Sequence, residues 1–360
     1  MKKTLGILSI CALVATSAFA DISYWGWGRG VFTPASINQD GDVDADFDTS
    51  WGDESAYVEF GFTGATEDDT AGFNLTFANK TAFANDDDET ADDYIAAYDG
   101  LGYFDVEEAS VWATPLENLT AGMGLYSYVD WSESESFGGR DFARNLLGDC
   151  NTKAYTFGYA YSTVNSWVTY DNGGLMAAAQ VGIDDSDAIE TVDLFAFGKY
   201  FIGYTIENIG TVKAAFFGDA SEGSRYAQAQ FSLASIENLE LKLSGAVPVS
   251  ADDADYTAKI DLAGDYSMDA ATIHYYALET VADTNILELG LGLDYALTDV
   301  ITSTNDIRGY ITDGNNTVAG TIGVKKAFGN SYAGAAIQGN YNLDSNDYEI
   351  GIPLMITIDL

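Results

Sequence analysis

Apolar and polar residues alternate with a period of two in many segments of this chain. The clearest segment is the last one, in which every second residue from Tyr348 to Leu360 is aliphatic or aromatic. The residues between them are mostly small, polar or charged. Side chains of a β-strand point alternately to opposite faces of a sheet, so this pattern predicts a strand with one apolar and one polar face.

The same alternation recurs upstream, and short turns separate the alternating segments. Three of these turns share a sequence, in which a Glu-Asn pair lies between aliphatic residues. The turns recur about every 30 residues in the later part of the chain, which is the length of one hairpin with two strands of about ten residues. The shared turns are Glu117-Asn118, Glu207-Asn208 and Glu237-Asn238.

Long acidic segments alternate with these short turns, as the external loops of an outer-membrane barrel alternate with its periplasmic turns. After residue 20 no stretch is long and apolar enough to predict a spanning helix. A closed barrel is the other structure that satisfies every backbone group in lipid. The sequence therefore predicts an all-β fold, a closed antiparallel transmembrane β-barrel of 16 to 18 strands. The alternation by itself also fits a soluble sandwich.

Tryptophans fall at or near the ends of predicted strands. Residues of this type form aromatic girdles at the two membrane interfaces of a barrel. The other interpretation is that they are ordinary core aromatics. The residues concerned are Trp25, Trp27, Trp112, Trp131 and Trp167.

The composition narrows the function classes. The formal net charge of −41 disfavours nucleic acid as a partner, because both molecules are anionic. Aromatic residues make up 13% of the chain, which is unlike a disordered acidic segment. We therefore expect a folded chain whose acidic residues are spread over wet surface.

The first twenty residues read as a secretory signal peptide. Lys2 and Lys3 precede an apolar core, and Ala18 and Ala20 provide small residues for cleavage before Asp21. A lipoprotein signal would use Cys11, but the apolar core continues past it. We predict a signal peptide at 1–20, a barrel at 21–360 and a location in the cell outer membrane.

Basic residues occupy polar positions of several predicted strands. A lysine or arginine on the lipid side would cost about 2 to 4 kcal/mol near the bilayer midplane, so we expect these side chains to face the lumen. Their other possible place is at strand ends, in the headgroup region. The predicted basic ladder consists of Arg29, Lys213, Lys242, Lys259, Arg308 and Lys325.

A long acidic segment, residues 129–153, follows the fifth predicted strand and contains Phe137-Gly138-Gly139. In this motif and in its barrel pattern the sequence resembles the general bacterial porins. In that family the third external loop bends into the barrel and carries a Glu-Phe-Gly-Gly-Asp motif. The resemblance implies a constriction in which carboxylates of this loop face a wall of basic side chains. It also implies a homotrimer.

This chain departs from the family motif, because Ser136 replaces its Glu and Arg140 its Asp. Carboxylates nearby offer a substitute, although a plain surface cap is the alternative for a loop of this length. The family's terminal aromatic residue is replaced by Leu360. The predicted constriction residues are Glu133, Glu135, Phe137, Gly138, Gly139, Arg140, Asp141 and Arg144.

The aspartate-rich run from Asp40 to Asp48 has the look of a calcium loop. Counting ligands from Asp40 or Asp42 places Ala45 or Phe47 where the sharp turn requires glycine. We therefore predict no dedicated metal site.

Catalytic signals are also weak. The single histidine, His274, lies on a predicted strand with no recognisable Ser or Asp partner motif. Cys150 has no basic surroundings in the sequence beyond Lys153. We predict no enzymatic activity and no cofactor.

Together these features predict an outer-membrane porin, embedded in the lipid bilayer, that forms a water-filled channel for small hydrophilic solutes and prefers cations. One alternative is a sugar-selective channel lined by aromatics such as Tyr103, Trp112 and Tyr126. The other is a surface adhesin or structural barrel that does not conduct.

Overall fold

The computed structural model describes residues 21–48, 56–80, 103–125, 164–182, 195, 198–219, 224–249, 258–282 and 284–360. Among these residues no helix is long and apolar enough to span a bilayer. The elements are β-strands: β1 (Asp21–Asn38), β2 (Val43–Asp48), β3 (Ala56–Ala65), β4 (Ala71–Lys80), β5 (Tyr103–Leu116), β6 (Leu119–Leu125), β7 (Val164–Asp171), β8 (Leu175–Gly182), β9 (Lys199–Ile206), β10 (Gly210–Asp219), β11 (Ser224–Leu233), β12 (Leu239–Pro248), β13 (Ala258–Met268), β14 (Ala271–Val281), β15 (Ile286–Thr298), β16 (Ile301–Ile311), β17 (Thr317–Phe328), β18 (Ser331–Asn342), β19 (Tyr348–Gly351) and β20 (Leu354–Asp359).

The strands form one closed antiparallel barrel. From β3 to β19, each strand pairs with the next along the chain, and β1 closes the sheet by pairing with β20 on one side and β3 on the other. β19 and β20 both pair with β18 and β1, and β2 and β3 both pair with β1. The wall is therefore an 18-strand barrel with 2 extra strand segments. The predicted fold class and strand number are confirmed.

The two faces of the wall differ in polarity. On β20, Leu354, Ile356 and Ile358 are exposed, whereas Met355 and Thr357 are buried. Because paired residues share a face, the strand registers extend this assignment around the whole barrel. The outer face is apolar and exposed, and many buried inner side chains are polar. This is the reverse of a soluble sandwich, which buries its apolar face.

The Glu-Asn turns are built on a left-handed backbone. Asn118, Asn208 and Asn238 have φ angles of 65°, 60° and 63°. Asparagine tolerates this region better than most residues, which explains why one turn sequence recurs. These turns lie at one end of the barrel, together with Asp21 and Leu360. We call it the short-turn end, and the opposite end the long-loop end.

The turn at Asn238 allows a simple stability test. Asn238→Ala is expected to lower the free energy of unfolding by about 1 kcal/mol, because alanine strains at positive φ, whereas Asn238→Gly should change it by less than about 0.5 kcal/mol. Asp299→Ala, in the β15–β16 turn, is the control at a residue without a positive φ. Urea unfolding in lipid vesicles measures all three variants. Equal costs for the alanine and glycine variants at position 238 would contradict the backbone explanation.

Candidate channel lining

All six residues of the predicted basic ladder lie on the inner face. Their cross-strand partners include the buried inner residues Thr357 beside Arg29, Gln230 beside Lys213 and Thr280 beside Lys259. Lys242, Arg308 and Lys325 pair with Ala263, Ala319 and Gly334, which are on the same face. Lys213 and Arg308 are buried and the other four are half-buried.

The six cations do not form one column. Lys213, Lys242 and Lys325 lie near the short-turn end, whereas Lys259 and Arg308 lie near the long-loop end. Lys242 and Lys259 are on neighbouring strands, but Lys242 pairs with Ala263, so about 13 Å of strand separates their levels. The cations are therefore spread over the wall from β10 to β17 and β1.

Tyr332 connects two of these cations. Nε of Arg29 donates a hydrogen bond to Oγ1 of Thr357 at 3.2 Å, and its Nη2 donates to the Tyr332 hydroxyl at 3.0 Å. Nζ of Lys325 lies 5.5 Å from the centre of the Tyr332 ring. A ring face attracts a cation at this distance, so Tyr332 holds both side chains against the wall.

Arg308 forms a buried ion pair. Its Nε donates to Oδ1 of Asp306 at 3.1 Å, and the two side chains are only 3% and 1% exposed. Asp306 and Arg308 are two residues apart on β16, so both side chains are on the inner face. The pair therefore fixes opposite charges on this part of the wall.

Lys199 is an inner cation that sequence reasoning missed. It is 1% exposed, and its Nζ lies 4.3 Å from the centre of the Phe217 ring. The signal was present, because Lys199 is in phase with the buried Phe201 on β9 and out of phase with the exposed Ile202. It was missed because Lys199 is the first residue of β9, and the alternation of apolar and polar residues does not show where the preceding acidic segment ends and the strand begins.

The inner face of β13 to β15 is acidic around His274. Nδ1 of His274 lies 2.5 Å from Oδ1 of Asp265, and its Nε2 lies 3.5 Å from Oδ2 of Asp294. On the same face the Tyr276 hydroxyl donates to Glu288 at 2.6 Å. His274 thus lies between the carboxylates of Asp265 and Asp294 in a charged wall.

The predicted tryptophan girdle is wrong for four of its members. Trp25, Trp27, Trp112 and Trp167 lie on the inner face, paired with Gly61, Glu59, Gly122 and Gln180. They face away from the apolar outer surface, so they do not belong to an interfacial belt. Strand-end position could not reveal this, because a shift of one residue reverses the face. Trp131 lies outside the described residues.

Several other predicted residues also lie outside the described part of the chain. They are the signal peptide at 1–20, Cys150, and the loop 129–153 with Glu133, Glu135, Phe137, Gly138, Gly139, Arg140, Asp141 and Arg144. In the sequence, residues 129–153 fall between β6 and β7, the fifth and sixth strands of the wall. Its role as a constriction remains a prediction.

The aspartate-rich segment has a structural explanation where it is described. Oδ1 of Asn38 accepts hydrogen bonds from the backbone N–H groups of Asp40 and Asp42, both at 3.0 Å, in the β1–β2 turn. No group of three or more potential metal ligands occurs within the described ranges. Residues 39–45 are exposed and form the tip of the β1–β2 hairpin.

Solved structures share this architecture. A triple mutant of the Rhodopseudomonas blastica porin has a TM-score of 0.51 and 14% identity, over 94% of this chain and 100% of the porin. Another mutant of that porin reaches a TM-score of 0.52 at 14% identity over the same shares. No protein-family model and no curated protein matches the sequence. Identity this low is informative about the fold alone, and the chain therefore has the closed antiparallel barrel fold of a porin.

Proposed function

We propose that this protein is an outer-membrane porin, a water-filled channel through which small hydrophilic solutes diffuse passively. The observation that carries the proposal is the inverted wall: apolar residues outside and polar residues inside a closed barrel. An outer face of this kind matches hydrocarbon, and closure leaves no unpaired sheet edge in the bilayer. The porin-like fold supports the same location.

The charge of the chain favours cations as the preferred ions. The formal net charge is −41, and the acidic residues concentrate in long segments between the strands, which we expect at one mouth of the channel. Negative charge at a channel mouth concentrates cations and repels anions. The inner cations oppose this effect locally. Where the carboxylates of the loop 129–153 face these cations, we expect a transverse field across the lumen.

A salt gradient across a planar bilayer tests the proposed channel. The mature chain is expected to produce discrete conductance steps whose reversal potential shows cations crossing more readily than anions. An absence of conductance from correctly folded protein would overturn the channel, and an anion preference would overturn the selectivity. Cross-linking in detergent tests the proposed homotrimer and is expected to yield a three-chain species.

The loop 129–153 provides a test of the constriction. Replacing Glu133 and Glu135 with glutamine and Asp141 with asparagine is expected to shift the reversal potential toward zero, because carboxylates at the narrowest point govern selectivity most strongly. The matched control replaces Asp86, Asp87 and Asp88 with asparagine, which removes the same charge from another acidic segment. Equal shifts from both variants would assign the effect to overall charge and not to a constriction in this loop.

A further inference from the structure

Tryptophan and glycine alternate in one register row on the inner wall. Across β4 to β7 the row reads Gly72, Trp112, Gly122, Trp167, each residue directly opposite the next. A β-carbon placed on Gly72 would lie 2.6 Å from Cζ2 of Trp112, and one on Gly122 would lie 2.3 Å from Cζ2 of Trp167. Each indole therefore occupies the space above a glycine of the neighbouring strand.

A third pair shows how these rings lie. A β-carbon on Gly61 would be 2.7 Å from each of Cε2, Cζ2 and Nε1 of Trp25. Equal distances to three ring atoms mean that the ring lies flat over the glycine. One face of the indole is then against the wall, and the other is turned toward the barrel interior. Trp25, Trp112 and Trp167 are half-buried, which leaves part of each ring accessible.

Polar groups surround the aromatic row. Oε1 of Glu108 accepts hydrogen bonds from Oγ of Ser110 at 2.6 Å and from Nδ2 of Asn74 at 3.3 Å. On the other side of the row the hydroxyls of Thr114 and Thr120 are 3.0 Å apart. The indole faces are therefore bordered by hydroxyl, amide and carboxylate groups that are held in place.

Asn165 is the observation that indicates a ligand. Its side chain is on the inner face of β7, two residues from Trp167, and the residue is 2% exposed. Neither Nδ2 nor Oδ1 has a hydrogen-bond partner among the described residues. A buried amide without partners costs about 1 to 3 kcal/mol, so such groups usually have a role that compensates for the cost.

We propose that this wall binds neutral sugars as they pass through the channel. A pyranose ring has a C–H face that packs on an indole, and hydroxyls at its edge that suit an amide with both donor and acceptor atoms. Within β3 to β8 the only basic residue is Lys80, the last residue of β4, so the wall offers little to anionic sugars.

The same wall suits organic cations less well. Glu108 already accepts two hydrogen bonds, and Oε2 of Glu59 accepts one from Nε1 of Trp27 at 3.0 Å. The group that lacks partners is the neutral amide of Asn165, which matches a hydroxyl better than an ammonium group. This inference rests on the proposed channel function and adds a solute class to it.

Sugar block of single channels tests the inference. Maltotriose is expected to reduce the conductance of the wild-type channel in a saturable way, with tetraethylammonium and glucose 6-phosphate blocking more weakly. Asn165→Ala and Trp167→Ala are each expected to weaken the maltotriose block by about tenfold. The first variant removes the amide that is proposed to bind the sugar hydroxyls, and the second removes the ring on which the sugar is proposed to pack. Thr304→Ala is the control for Asn165, since Thr304 is also 2% exposed on the inner face but lies on β16.

A glycine variant separates the position of the ring from its presence. Gly122→Ala displaces the indole of Trp167 and is expected to weaken the block while shifting tryptophan fluorescence. Gly309→Ala should change neither, because a β-carbon there would meet nothing within 4 Å. Heat-modifiable migration on gels verifies folding, and Asn165→Ala keeps the test open if a tryptophan variant fails to fold.

The outcomes distinguish the two proposals. If no conductance is seen, the channel function fails. If conductance is normal but maltotriose does not block, or blocks all variants equally, the sugar site is overturned while the channel stands. Stronger block by tetraethylammonium than by maltotriose would likewise overturn the sugar assignment.

Discussion

Replacing Ile322 with lysine is expected to destabilise the folded barrel in a lipid bilayer by about 2 to 4 kcal/mol. Ile322 is 71% exposed and lies near the middle of β17, on the apolar outer face. A lysine at this depth would put an ammonium group into hydrocarbon, where it has no water or counter-ion. Urea unfolding of the protein in phospholipid vesicles measures the change.

Asn340→Lys is the matched control for this variant. Asn340 is half-buried on the inner face of the neighbouring strand β18, and it pairs with Glu349. A lysine there faces polar groups and is expected to change stability by less than about 1 kcal/mol. If both lysines cost the same, the assignment of the two faces to lipid and lumen would be wrong.

Arg308→Ala is expected to lower the free energy of unfolding by about 3 to 5 kcal/mol. The substitution removes the partner of Asp306 and leaves its carboxylate buried without the opposite charge that faces it at 3.1 Å. Removing one member of a buried pair costs more than the pair contributes, because the remaining ion is poorly solvated. Vesicle unfolding by urea measures this cost as well.

The double variant Arg308→Met with Asp306→Asn tests the reason for that cost. Without either charge, stability is expected to return to within about 1 kcal/mol of wild type, since no unpaired ion remains. A double variant as unstable as Arg308→Ala would show that packing of the long side chain, and not its charge, is what matters. Far-ultraviolet circular dichroism verifies that both variants retain the barrel.

The strands and the closed barrel were predictable from the sequence, because each strand has one face toward lipid and the other toward the lumen. Apolar and polar residues therefore alternate along it. The segment from Val164 to Gly182, whose pattern is interrupted by Gly173 and Gly174, forms the β7–β8 hairpin, which turns at Gly173 with a φ of 81°. The final alternating segment, by contrast, is two strands and not one. It breaks before Pro353, which has no N–H to donate to a neighbouring strand.

The aromatic row on the inner wall could not be predicted from the sequence. Alternation on β5 puts Trp112 on the same face as Ser110 and Thr114, so the inner face of this ring is readable from the sequence. The cross-strand register that brings the indoles beside glycines is not, because it depends on how separate strands pair. The contacts of the indoles with Gly72 and Gly122 join residues tens of positions apart in the chain. The partnerless state of Asn165 likewise depends on what packs around it, which periodicity does not show.

The orientation of β17 tests the central claim most directly. In the mature chain with Cys150 replaced by serine, single cysteines from Thr317 to Phe328 are labelled with nitroxide, and their accessibility to oxygen and to a water-soluble nickel chelate is measured in vesicles. We expect oxygen contact to peak at even positions and to be low at odd ones, with a period of two. Labels at even positions shielded from lipid, in a protein that stays monodisperse without detergent, would contradict the barrel in a membrane.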